Sequence, residues 1–94
     1  MTVAGFIWLA DIVSKLASEH GVVKEEVVEV FQNQPRFRFV ETGHREAENV
    51  DSAMGQTDGG RYLACFFVYK RDHRALILSA RDMSDSERKR HGKK

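Results

Sequence analysis

The period of apolar positions changes once along the chain, at Pro35. Before it the spacing is helical. Ile12 and Leu16 stand i, i+4 apart with Val13 and Ala17 beside them, which predicts a helix over 9–20. His20-Gly21 closes it, because glycine accepts the left-handed cap conformation that other residues resist. Residues 24–33 read as a second helix, with Val27, Val30 and Phe31 on one side and Glu25, Glu26 and Glu29 largely on the other. Glu25 and Glu26 fall in its first turn, where the helix dipole favours carboxylates. Pro35, the only proline, cannot continue that helix.

After Pro35 the period is two. Aromatic and charged residues alternate in Arg36-Phe37-Arg38-Phe39-Val40-Glu41, the pattern of a half-buried strand. Gly43-His44-Arg45-Glu46 reads as a loop, and residues 48–56 as a weaker strand carrying Val50, Ala53 and Met54. Thr57-Asp58-Gly59-Gly60 is a turn signal. Tyr62–Tyr69 is apolar on both faces and predicts a central strand, with Leu63, Cys65, Phe67 and Tyr69 on one face and Tyr62, Ala64, Phe66 and Val68 on the other. A polar connection over 70–74 leads to a last strand at Ala75–Ala80. Ser84-Asp85-Ser86-Glu87 has capping-box spacing, so a short helix should begin there. The expected fold is α+β: two N-terminal helices, a three- to four-stranded antiparallel sheet and a short C-terminal helix.

Length and composition narrow the class. Ninety-four residues make one domain, and 41% apolar residues suffice for one core. The longest apolar run, Leu63–Tyr69, is too short for about 30 Å of hydrocarbon, so no membrane association is expected. The first residues carry no basic region and Asp11 interrupts their apolar stretch, which argues against a secretory signal. Cys65 is the single cysteine, so neither an internal disulfide nor a cysteine-based zinc finger can form. These features point to the cytoplasm. The net charge of +1 hides an asymmetry: residues 1–35 carry Lys15 and Lys24 against five carboxylates, whereas 88–94 form a basic tail. An even total argues against a non-specific nucleic-acid coat but leaves room for a local cationic face.

No cofactor or metal motif declares itself. His20, His44, His73 and His91 are scattered without a second ligand at suitable spacing, and Gly59-Gly60 is a turn rather than a phosphate loop. Cys65, mid-strand in an apolar run, reads as a core residue, and Trp8 beside Phe6 and Ile7 reads as packing rather than a base-stacking platform. Long polar groups gather near strand ends: His44-Arg45-Glu46, Arg61-Tyr62 and Arg81-Asp82, with Arg36 and Arg38 on one face of their strand. Arg61 and Arg81 flank neighbouring antiparallel strands, so they should lie near one another at one end of the sheet. There a phosphate could bridge them, or each could pair with a carboxylate such as Asp58 or Asp82 and hold a turn. Metal-independent RNA cleavage needs a base for the 2′-hydroxyl, an acid for the leaving 5′-oxygen and cations for the developing charge. The residue types present are compatible with that chemistry.

The ordered motifs resemble a known family. Phe6-Ile7-Trp8, Glu19-His20-Gly21-Val22 and Glu25-Glu26-Val27-Val28-Glu29-Val30 are followed by Ala53–Leu63, Phe67-Val68-Tyr69, Ile77–Met83 and Ser86-Glu87-Arg88. Together, over about residues 6–90, they resemble BrnT-type toxins, which are similar in fold to the RelE group of ribonuclease toxins. The chain departs from many members in having Leu9 after Trp8, where an acidic residue is common, and Val23 where a Ser or Thr cap is usual. The resemblance implies a metal-independent endoribonuclease that stops growth when free. It also implies a cognate DNA-binding antitoxin (BrnA-like, commonly ribbon-helix-helix), joined to the toxin in a hetero-oligomer that represses its own promoter. The matching polar positions are His20, Arg61 and Arg81, with Lys15 as a looser match and His44-Arg45-Glu46 as a sub-group feature. On this reading Arg61 and Arg81 bind the scissile phosphate, His44 or Glu46 serves as base or acid, and His20 assists. Lys15, Arg36, Arg38, Arg45 and Arg88 contact the RNA.

Two other classes remain open. One is a non-catalytic, toxin-derived binding module that only pairs with an antitoxin or self-associates. The other is a structural protein whose sheet-end arginines are all held in ion pairs. A face bearing Tyr62, Ala64, Phe66 and Val68, with the edge strand Arg36–Glu41, is the expected seat of an antitoxin or a second copy, as a homodimer or a 2:2 complex, unless the third helix folds over it.

Overall fold

The computed structural model describes residues 1–42 and 48–92. Its elements run β1 (Gly5–Ile7), α1 (Ala10–His20), α2 (Lys24–Gln32), β2 (Arg36–Glu41), β3 (Val50–Gln56), β4 (Tyr62–Tyr69), β5 (Arg74–Asp82) and α3 (Asp85–Gly92). Strands β2 to β5 form an antiparallel meander, as the alternation predicts. The sheet nevertheless has five strands in the order β1-β5-β4-β3-β2, and β1 runs parallel to β5. It is mixed rather than purely antiparallel, and one strand precedes the first helix. Three residues show no alternation, so β1 has no signature of its own. It is a strand because Gly5, Phe6 and Ile7 find Arg74, Ala75 and Leu76 beside them.

The two N-terminal helices cross one face of the sheet. Leu16 of α1 and Val27 and Val30 of α2 are fully or nearly fully buried against Ala53, Leu63, Cys65, Phe67, Ala75, Ile77 and Ala80. Phe67 sits at the centre, with Phe31 edge-on at 5.2 Å and Phe37 at 5.9 Å. Trp8 stacks on Phe6 at 5.6 Å, and Phe6 meets Phe31. Cys65 is wholly buried, and the loss of water pushes its thiol up to about 12. Gly55 sits at a close approach: a Cβ there would stand 3.3 Å from both Pro35 and Val30, where α2 and its exit press on β3.

Backbone ends follow the sequence. Gly21 takes the left-handed conformation at φ 61°, its N–H donates to Ala17 O, and Val22 N–H donates to Leu16 O. Ser84 and Glu87 form the expected reciprocal cap, at 3.2 Å from Glu87 N to Ser84 Oγ and 2.8 Å from Ser84 N to Glu87 Oε1. Strand β5 extends past the expected 75–80, through Arg81 and Asp82, because Leu63 and Ala64 supply partners to its end. Among the described residues no helix is long and apolar enough to cross a membrane.

The two faces of β4 divide as the alternation predicts, but the second face is not bare. Tyr62 lies against α3, with Arg88 over its ring at 4.5 Å and the His91 ring edge-on at 6.0 Å. The Arg81 guanidinium stands over Phe66 at 5.3 Å, and Ala64 and Val68 are buried. The uncovered face expected from the apolar alternation of β4 is instead screened by α3, the alternative also weighed, and by arginine side chains. Exposed apolar side chains occur instead on the edge strand β2, at Phe39 and Val40.

Candidate nucleic-acid interface

Arg61 and Arg81 leave the same end of the sheet but serve different faces. Arg61, just before β4, points to the helical side. Its Nε and Nη2 donate to the two carboxylate oxygens of Asp82 at 2.7 and 3.1 Å. Its Nη1 donates to the Gly21 carbonyl at 2.8 Å and to Glu26 at 3.2 Å, and Nη2 also donates to the His20 carbonyl at 2.9 Å. One guanidinium thus joins the C-terminus of α1, the first turn of α2 and the end of β5. The hydrogen bond to Asp82 is the main reason that Arg61 is held above the usual arginine range and Asp82 below the usual carboxylate range. Glu26 takes part twice, since its Oε1 also accepts from Val23 N–H and caps α2 where Val23 offers no side-chain oxygen.

Arg81 points to the opposite face and makes a bidentate pair with Glu87 of α3, Nη1 to Oε1 at 2.7 Å and Nη2 to Oε2 at 3.0 Å. This pair is the main cause that lowers the Glu87 carboxyl to about 2, helped by the capping N–H of Ser84. In this structure each guanidinium is instead taken by carboxylates, Arg61 by Asp82 and Glu26 and Arg81 by Glu87. Strand alternation decides this: Arg81 pairs with Ala64, and Asp82, one residue on, turns to the helices and meets Arg61. The pairing alternative holds for both arginines, though with Asp82 and Glu26 for Arg61 and with Glu87 for Arg81. Asp58 is engaged elsewhere, accepting from Asn33 Nδ2.

The remaining expected site residues separate as well. Lys15 and His20 are exposed on α1, on the helical side of the sheet. Arg36, Arg38 and Arg88 gather on the other side, with β2 and α3. His44, Arg45 and Glu46 lie outside the described residues. Among the described residues no group of three or more His, Cys, Asp or Glu could hold a metal ion.

Met54, Glu87, Arg90 and His91, none of them expected at the site, complete the second cluster. Arg36, Arg38, Met54, Glu87, Arg90 and His91 line a pocket of about 120 Å³ between β2, β3 and α3. Arg36 Nη1 donates to the Arg90 carbonyl at 3.4 Å. His91 Nδ1 is buried there without a hydrogen-bond partner among the described residues. Burial first, and the nearby Arg36 charge second, hold its imidazole below the usual histidine range. A sequence signal for this cluster exists: Glu87 and His91 are four apart, on one face of a helix whose capping box is legible. The net result is a strip of guanidinium groups interleaved with aromatic rings, Arg81 on Phe66 and Arg88 on Tyr62, beside the Arg36–Arg38–Arg90 pocket.

The fold is thus a small mixed-sheet α+β domain with α1 and α2 on one face and, on the other, α3 beside a cationic, aromatic strip. No protein-family model matches the chain, and no curated protein matches it.

Proposed function

We propose that the chain is an RNA-cleaving toxin of the BrnT type, metal-independent in its chemistry and silenced by a cognate DNA-binding, BrnA-like antitoxin. The observation that carries this reading is the face opposite α1 and α2, where Arg81 stands over Phe66, Arg88 stands over Tyr62, and Arg36, Arg38 and Arg90 line a pocket with α3. Single-stranded nucleic acid is held by this combination: guanidinium groups for phosphates and flat rings or guanidinium planes for bases. The ordered motif resemblance adds the reaction class. The cell compartment on this reading is the cytoplasm, where both RNA and antitoxin are found. The exposed edge of β2, with Phe39 and Val40, is the proposed seat of the antitoxin or of a second copy, in a homodimer or 2:2 complex. The test is induction of the isolated gene beside an Arg38→Ala, Arg88→Ala variant, with end mapping of RNA cleaved by purified protein in chelator. Growth arrest by the wild type alone and 2′,3′-cyclic phosphate ends are expected. Intact RNA and equal growth reject the reading.

A second reading is favoured by a specific observation. The guanidiniums of Arg61 and Arg81, the arginines matched to the family, are both occupied by carboxylates. A non-catalytic binding module that retains the toxin frame and pairs with an antitoxin-like partner would look the same. Binding of such a partner without RNA cleavage identifies it.

A further inference from the structure

We infer that His73, in the turn between β4 and β5, is the general base that takes the 2′-hydroxyl proton of an RNA, its tautomer fixed by Tyr69. The inference rests on the ribonuclease reading and names the residue that performs its first proton transfer. The Tyr69 hydroxyl has one proton and donates it to the Thr2 carbonyl, which can only accept. The same phenol oxygen lies 2.5 Å from His73 Nδ1. With its own proton engaged, that oxygen accepts, so the network assigns the imidazole hydrogen to Nδ1. A neutral imidazole protonated there carries its lone pair on Nε2. His73 is exposed, and its Nε2 makes no hydrogen bond among the described residues. Thr2, Tyr69 and His73 thus form a relay that ends in an open basic nitrogen. Free histidine prefers the opposite tautomer, so the relay changes which nitrogen meets solvent.

The backbone supplies an independent observation. His73 N–H donates to the Lys70 carbonyl at 2.9 Å, and the His73 carbonyl accepts from Ala4 N–H at 2.8 Å. Its φ is 70°, in the left-handed region that is uncommon for any residue but glycine. An imidazole kept at such a position, with its ring oriented by a second side chain, has the arrangement of a base and its orienting partner. The turn also carries a cation. Lys70 is paired with Glu48 and Arg74 with Asp72, which leaves the exposed Arg71 without an ion pair among the described residues. A guanidinium two positions from the base provides countercharge for a phosphate. Strand β4, of eight residues, separates the turn from Tyr62 by about 25 Å, a span for several nucleotides of a strand held by the cationic strip. In the step, Nε2 takes the 2′-hydroxyl proton as O2′ bonds to phosphorus and the P–O5′ bond breaks. Water protonates the leaving O5′, and the hydroxide so formed reclaims the proton from the imidazolium. The products are a 2′,3′-cyclic phosphate and a 5′-hydroxyl.

Two measurements test it. The first is the nitrogen–proton NMR pattern of the His73 ring at about pH 9, above the ordinary histidine range. A protonated Nδ1 and a bare Nε2 are expected, and Tyr69→Phe should move the ring toward the opposite tautomer. The opposite tautomer in the wild type, or no change with Tyr69→Phe, overturns the relay. The second is RNA cleavage by purified protein in chelator, beside His73→Gly, a residue that suits φ 70° and spares the turn. Cleavage should fall about a hundredfold or more, and added imidazole should restore part of it. Affinity for a 2′-O-methyl oligoribonucleotide, which lacks the nucleophilic hydroxyl, should stay that of the wild type. Cleavage by His73→Gly at the wild-type rate, or a loss that imidazole does not restore, overturns the base and leaves the ribonuclease reading intact. No cleavage by the wild type overturns both.

Discussion

Arg61 and Asp82 face one another through two parallel hydrogen bonds, at 2.7 and 3.1 Å, and through them the helical layer is tied to the end of the sheet. Arg61 also donates to the carbonyls that close α1 and to the carboxylate that opens α2. A residue that the family resemblance assigns to phosphate is, in this fold, the tie between four chain segments.

Arg61→Ala should therefore act on stability first. It removes the guanidinium from two helix-end carbonyls and from Glu26, which keeps only Val23 N–H. Asp82 is largely exposed, so its share is small and the pair counts for little by itself. The expected cost is about 2 kcal/mol. For a domain of this size that lowers the melting temperature by roughly 8–16 °C. Thermal unfolding followed by circular dichroism measures it. An unchanged melting temperature with lost RNA binding would return Arg61 to a substrate role.

The Arg81–Glu87 pair predicts an acid-sensitive attachment of α3. The Glu87 carboxyl is lowered from 4.5 to about 2, so its contribution is present above the unfolded value and lost as pH falls from 4.5 toward 2. Arg81 is more than a third exposed, so solvent screening reduces the effect to about 1–2 kcal/mol. Glu87→Gln should unfold with a flatter pH dependence over that window. Equal acid curves for wild type and variant would contradict the pair's role.

Cys65 should be silent toward thiol reagents in the native state. It is fully buried, and its thiol is pushed up to about 12, so little thiolate forms near neutrality. Labelling with a disulfide reagent should track global unfolding by denaturant. Rapid labelling of the folded protein would contradict the burial of β4.

The element pattern was largely legible because it rests on local periods. The bounds of β2 and β4 are those of the apolar alternation, and the Ser84–Glu87 cap marks the start of α3. β1 was illegible: a three-residue edge strand is made by its neighbour β5, not by its own pattern. The candidate site was half legible. Arg36, Arg38 and Arg88 were marked by charge on a strand face and a basic helix, but the partition of Arg61 and Arg81 was not.

What the chain determines by itself is which residues can be helix, strand or turn, and which side of each is apolar. Those properties come from backbone sterics and side-chain spacing within a few residues. Which arginines meet carboxylates, and which line a pocket, depends on how separate elements pack: Arg81 and Glu87 are 6 positions apart across the β5–α3 junction, Arg61 and Asp82 are 21 apart, and Arg36 and Arg90 are 54 apart. A guanidinium reads the same in sequence whether its partner is Asp82 or a phosphate. Only the packing of the strands, which turns Asp82 toward the helices and Arg81 toward α3, decided between them.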